Sequence, residues 1–166
     1  MSIRKATRND IEQIHGLEEI IELCFPACRE TLLERLDMFP EGFFVSEESG
    51  KIRGYIESCI WDKRDFQQFS QINEFPSYHN EKGKTLFIIF LGVAPSHRKR
   101  GIATQLISAV LQLAGTLGLD QVQLVAKSGL HSFYQKQGFN DIRRFPAYLP
   151  GVTGLLMERV TGKASE

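Results

Sequence analysis

The stretch from Leu86 to Leu117 constrains this chain most. There an apolar run, a proline, a basic turn ending in glycine and a long apolar periodicity follow one another without interruption. Leu86 to Val93 reads as a buried strand, and Pro95 removes a backbone donor and stops the ladder. Beyond it Ile102, Leu106, Ala109, Val110, Leu113 and Leu117 recur at helical spacing. Between strand and helix stand Arg98, Lys99, Arg100 and Gly101. The first N–H groups of a helix lack intrahelical acceptors and carry the positive end of its dipole, so main chain alone can hold a phosphate there. Glycine at 101 lets the backbone come close, and small Ala103 leaves room for a ligand.

The basic run is local. The chain balances 20 Lys+Arg against 20 Asp+Glu, which predicts no general attraction to nucleic acid or to an anionic membrane. A compact polyanion suits such a cluster better than a long one. With 166 residues, 42% hydrophobic, a single domain over residues 1–166 with an ordinary core is expected. No apolar stretch approaches the length of a membrane span, and the N-terminus has no apolar signal region, so a cytoplasmic protein is expected. Cys24, Cys28 and Cys59 make an odd set without a paired-ligand pattern, so neither a disulfide framework nor a metal site is expected. Cys24 and Cys28, four apart, are expected on one helix face.

Taken in order, Ile3 to Thr7 reads as a first strand. Thr7 or Asn9 can cap a helix with apolar positions Ile11, Ile14, Leu17, Ile20, Ile21 and Leu23, closed by Pro26. A second helix over Ala27 to Met38 carries Leu32, Leu33 and Leu36. Phe43 to Glu47 and Lys51 to Trp61 read as strands joined through Glu48-Ser49-Gly50. In the second of these, Tyr55, Glu57, Cys59 and Trp61 share one face. Asp62 to Lys84 is polar, contains Pro76 and lacks a period, the mark of a functional or mobile loop; Trp61, Phe66, Phe69, Phe75 and Tyr78 could line a site or simply pack. Gly115 and Gly118 stop the long helix, Gln121 to Ala126 is a strand, Leu130 to Gln137 a short helix, and Gly138 its exit. Phe139 begins another strand, Arg143 to Gly151 reads as a loop with two prolines and Tyr148, and Thr153 to Val160 closes the chain.

Two motifs carry a family resemblance. R-K-R-G-I-A, Arg98 to Ala103, fits the Q/R-x-x-G-x-G/A signature of the GNAT acetyltransferases, and F-Y-Q-K-Q-G-F, Phe133 to Phe139, is similar to a second family motif downstream. Pro40-Glu41 and Trp61-Asp62-Lys63 make the arylalkylamine N-acetyltransferase branch the nearest look. The resemblance implies an α/β fold with a mixed, mostly antiparallel central sheet of about seven strands and helices on both faces. It implies acetyl-CoA as cosubstrate, its pyrophosphate held by the amides of Lys99, Arg100, Gly101, Ile102, Ala103 and Thr104 with Arg98 beside them. It further implies that main chain at Leu91, Gly92 and Val93 pairs with the pantetheine arm and polarises the thioester. A small-molecule primary amine is the implied acceptor, in a monomer or homodimer, with no nucleic-acid or membrane partner.

Acetyl transfer needs a neutral amine, a donor for the carbonyl oxygen and an acid for the departing thiolate. Tyr134 falls on the tyrosine that serves many family members as that acid; otherwise it is a helix tyrosine packing on the core. The animal arylalkylamine enzymes place two histidines on the central strand, and here those places hold Phe87 and Ile89, which move no proton. Water, His79 or Glu57 remains, Glu57 foremost because it lies mid-strand near the expected cleft; its other reading is a solvated or paired strand carboxylate. The alternatives to a small-molecule acetyltransferase are a non-catalytic acyl-CoA-binding module, which the missing histidines favour and Tyr134 opposes, and acetylation of protein N-termini or lysines.

Overall fold

The computed structural model describes residues 1–21, 26–62, 78–149 and 152–162. The strands β1 (Ser2–Lys5), β2 (Phe44–Glu48), β3 (Lys51–Trp61), β4 (Thr85–Val93), β5 (Gln121–Lys127), β6 (Asn140–Leu149) and β7 (Val152–Val160) form one sheet in the order β1-β2-β3-β4-β5-β7-β6. β4 and β5 pair in parallel at Thr85–Phe87. The pairs β1–β2, β2–β3, β5–β7 and β6–β7 are antiparallel. The helices are α1 (Ile11–Ile21), α2 (Arg29–Met38), α3 (Ile102–Thr116) and α4 (His131–Lys136). Parallel neighbours cannot be joined by a tight hairpin, and α3 supplies the crossover that β4 and β5 require. The expected mixed sheet and order of elements are found.

The chain divides into two compact units, Met1–Ser58 with Ile89–Leu113, and Cys59–Ile88 with Ala114–Glu166. In the first, Ile11, Ile14 and Leu17 of α1 and Leu32 and Leu36 of α2 pack with Phe43, Val45 and Tyr55; each such buried side chain contributes about 1.5–3 kcal/mol. On the other side of β3, Gly54 looks toward Ile102 and Leu106 of α3, so helices cover both faces. In the second unit Trp61, Phe87, Val122, Phe139 and Met157 are buried, with the Trp61 and Phe87 rings 4.3 Å apart. No helix among the described residues is long and apolar enough to cross a membrane.

Local chemistry fixes the joints. Ser49 and Gly50 both take positive φ, 52° and 74°, the two-residue turn whose twist suits a hairpin. From α1, Gln13 grips this turn: its Nε2 donates to Gly50 O at 3.4 Å and its Oε1 accepts from Ile52 N at 3.0 Å. Gly118 ends α3 at φ 66°, its N–H donating to Gly115 O while Leu119 N donates to Ala114 O, the paired bonds of a glycine helix stop.

Two expectations are corrected. Arg143 onward is strand through Leu149 rather than a loop to Gly151. β6 is the outer strand, and the β6–β7 register is irregular between Phe145 and Leu149, so Pro146 sits where a missing N–H is tolerated. Residues 26–28 are not helical, so Cys28 stands at the start of α2; Cys24, Leu23 and the aromatics Phe66, Phe69 and Phe75 lie outside the described residues.

Candidate active site

After β4, a 3-10 turn at Pro95–His97 leads into Arg98, extended at ψ 159°. Lys99 then takes φ 62° and Gly101 φ 80°. A lysine in the left-handed region costs of order 1–2 kcal/mol, the kind of local strain that accompanies ligand-holding loops. The first main-chain bond of α3 is Gln105 N to Gly101 O at 3.0 Å, so the amides of Ile102, Ala103 and Thr104 precede the first intrahelical donor. A Cβ at Gly101 would meet nothing within 4 Å among the described residues; glycine is favoured there by its positive φ rather than by crowding. Arg98, Lys99, Arg100 and Gly101 are exposed, while the Ile102 side chain is buried in the core.

A carboxylate that the sequence reading did not single out braces this loop. Glu48, at the end of β2, accepts from Arg100 Nη2 at 2.9 Å through Oε1. Its Oε2 lies 3.2 Å from His97 Nε2 and 4.0 Å from Arg53 Nε. Arg100 first, then His97, holds the Glu48 carboxyl below its usual range.

On β4, Leu91 and Val93 are half-buried and Gly92 buried. A Cβ at Gly92 would come within 2.7 Å of the Phe90 ring and 2.8 Å of Ile21 Cδ1, so a side chain there would force those neighbours to move. Gly54 is needed for a like reason: its Cβ would lie 2.9 Å from Gly92 O and 3.0 Å from Ile102 Cγ2. The β2–β3 register shifts at Ser46/Glu47, leaving Arg53 extra, and Arg53 O accepts from Ala94 N at 2.8 Å. Thus the start of the loop is tied to a bulged strand.

Glu57 is 1% exposed and bonded to Arg35, itself 3% exposed, with Nη1 donating to Oε1 at 2.5 Å. Its Oε2 is buried without a hydrogen-bond partner among the described residues. Nearby in the same unit, Glu18 accepts from the Tyr55 hydroxyl and, at 2.5 Å, from Ala27 N. Burial raises Glu57 and Glu18 above the ordinary carboxyl value, and raises the fully buried Tyr55 phenol well above its own. Glu18 and Arg35 were missed because charge reads as solvent-facing. The available signal was position: Glu18 stands four after Ile14, and Arg35 three after Leu32, both on buried stripes.

Tyr134 lies in the second unit, on α4. It is buried, its ring edge-on to Phe133 at 5.1 Å and Phe139 at 6.1 Å. Its carbonyl accepts from Gln137 N and Phe139 N around Gly138, at φ 87°. Burial pushes its phenol up to about 12. His79 Nδ1 accepts from Ile60 N at 3.2 Å, so that nitrogen is engaged. Phe87 and Ile89 are both buried.

Residues 14–139 match the model of the Acetyltransferase (GNAT) family. The chain is 31% identical over 131 residues to the "Probable hydrolase YhcX" of Bacillus subtilis, covering 74% of this chain and 25% of that protein. It is 28% identical over 127 residues to the "Uncharacterized N-acetyltransferase YkwB" of the same organism, covering 68% and 54%. It thus spans a quarter and about half of these two relatives. With an N-alpha-acetyltransferase of Sulfurisphaera tokodaii it shares 28% identity over 148 residues, covering 85% of this chain and 81% of that one. Among solved structures, the loading GNATL domain of CurA from Lyngbya majuscula superposes with a TM-score of 0.85 at 19% identity, covering 96% and 97% of the two chains. At that identity the likeness is one of fold.

Proposed function

The chain belongs to the acetyltransferase (GNAT) family, and from that premise we propose that it moves the acetyl group of acetyl-CoA to a primary amine by direct attack in a ternary complex. The observation that carries the reading is the loop before α3, where left-handed Lys99 and Gly101 open onto solvent at the first turn of the helix. That loop fits a pyrophosphate: amides of Lys99 to Thr104 hold the anion, and exposed Arg98 and Lys99 add charge. Leu91, Gly92 and Val93 offer main chain for the pantetheine arm. When bound, the thioester supplies the activated acetyl carbonyl. Tyr134 holds a proton at Oη for the departing sulfur, and its raised pKa keeps that proton in place at neutral pH. Glu57 is assigned the proton of the amine; its Oε2 is buried and receives it by relay rather than by touching the substrate, while Arg35 fixes its other oxygen.

The acceptor is a small-molecule primary amine. Pro40-Glu41 and Trp61-Asp62-Lys63 support a scaffold like the arylalkylamine branch, and Phe87 and Ile89 argue for a different proton route and a different amine. A second reading, acetylation of protein α-amino groups, is favoured by the Sulfurisphaera relative. Coenzyme A release should be measured with arylalkylamines, polyamines, aminoglycosides and short peptides with free N-termini. Turnover of small amines alone supports the first reading, turnover of peptides alone the second. Tight acetyl-CoA binding with no turnover of any amine would leave a non-catalytic binding module. For the cradle, Gly101→Asn and Gly101→Asp separate conformation from charge, since Asn tolerates the left-handed region. Calorimetry should show Asp losing about tenfold or more acetyl-CoA affinity beyond Asn; equal affinities would place the phosphates elsewhere.

A further inference from the structure

We propose that Glu48 is a positioning residue for cofactor binding, holding the basic loop so that main-chain amides, rather than Arg100 and His97, face the phosphates. This rests on the acetyl-CoA reading above. A carboxylate beside a polyphosphate site is electrostatically unfavourable for binding. Its presence therefore calls for an account, and the geometry offers one.

Both Glu48 oxygens are engaged by the loop, Oε1 by Arg100 and Oε2 by His97. The His97 ring is gripped from its other side, Nδ1 lying 2.7 Å from Ser96 Oγ. Arg100 and His97 flank the sparsely populated Lys99 conformation, and a strained backbone persists only when its neighbours fix it. Glu48 itself does not drift, because it sits beside the Ser49-Gly50 turn that Gln13 pins to α1. The chain of restraint runs from α1 through the hairpin and Glu48 to the loop. All three cations of the run are exposed, but Arg100 is held by Glu48, which leaves Arg98 and Lys99 as the cations without that restraint.

The sign of the effect makes the inference testable. Glu48→Gln keeps the size and removes the charge. Lost positioning should raise the acetyl-CoA Kd and KM about three- to tenfold, the worth of two partly exposed ion pairs, with kcat at saturation changing far less. Arg100→Gln should weaken binding similarly, and the double variant should be no worse than either single one. Glu47→Gln is the control: Glu47 bonds Arg4 instead and should leave affinity unchanged. If Glu48→Gln binds acetyl-CoA as tightly as the parent, or more tightly, Glu48 is only an unfavourable neighbouring charge and the inference is wrong. Additive losses in the double variant would also overturn it. Should Glu48→Gln fail to fold by circular dichroism, Arg100→Gln must show the weakened binding alone, or the inference fails. A parent that binds no acetyl-CoA at all sinks the functional reading itself, an outcome distinct from each of these.

Discussion

Tyr134 shows how burial sets what a single side chain can do. A phenol near 12 is a weaker acid than a thiol near about 8.5 by roughly three to four units, so complete transfer to a free thiolate is uphill. In the proposed mechanism its service is therefore as a hydrogen-bond donor that never ionises in the working range, and Tyr134→Phe should lower kcat by about 10²-fold, the low end for general acids, with acetyl-CoA Kd unchanged. Any alkaline fall in rate between about pH 8 and about pH 10 should survive in that variant, because it belongs to another group. For stability the sign is fixed as well: the native phenol binds its proton more tightly than the unfolded one at 10.0. The contribution is complete below 10 and disappears as pH rises through about 12. Tyr134 was legible from its motif, and its packing on the core stood as its other reading; what the motif leaves out is which rings close around it, those of Phe133 and Phe139.

At the scale of elements, α3 is held where it is by an absence. A methyl at Gly54 would strike Gly92 O and Ile102 Cγ2, one of them backbone and unable to turn aside. Gly54→Ala should cost about 1–3 kcal/mol in urea denaturation, and it should weaken acetyl-CoA binding because the first turn of α3 is displaced. Gly16→Ala, inside α1 with nothing among the described residues within 4 Å of the new methyl, should instead stabilise by about 0.5–1 kcal/mol; equal effects from the two would deny the packing argument. The strand, basic turn and helix around α3 were readable because period, proline and glycine all agree there. The hairpin at Ser49-Gly50 was readable for the same reason. What failed was Arg143–Leu149, where Pro146 signals a break in isolation but an outer strand admits it, a fact that depends on sheet order and not on local sequence. Gly54 was invisible as a packing requirement, since the atoms it accommodates, Gly92 O and Ile102 Cγ2, are distant in the chain.

Over the whole molecule, 20 basic and 20 acidic side chains cancel near neutrality, and the response of stability to pH rests on the groups whose pKa changes on folding. They act in opposite directions. Asp10, held below its ordinary 3.8 by Arg4, contributes stability that is present above that value and lost as pH falls. Glu57 and Glu18 are raised above 4.5, chiefly by burial, so the native state keeps protons the unfolded chain has released, and their contribution is lost as pH rises above 4.5 through the raised values. Arg35 moderates this loss by pairing with Glu57. Arg35→Met should therefore cost about 3–5 kcal/mol, the usual result of leaving one partner of a buried pair behind. The cost should be larger at about pH 8 than at about pH 5, because without the guanidinium the carboxyls need protons still more. Adding Glu57→Leu removes the stranded charge, and the double variant should regain most of the loss and flatten the pH dependence. A double variant as unstable as Arg35→Met would show that something other than the stranded carboxylate limits the core. Its activity decides a separate question: a refolded, stable enzyme that still releases no coenzyme A fits Glu57 as the proton acceptor, whereas restored turnover would hand that role to water.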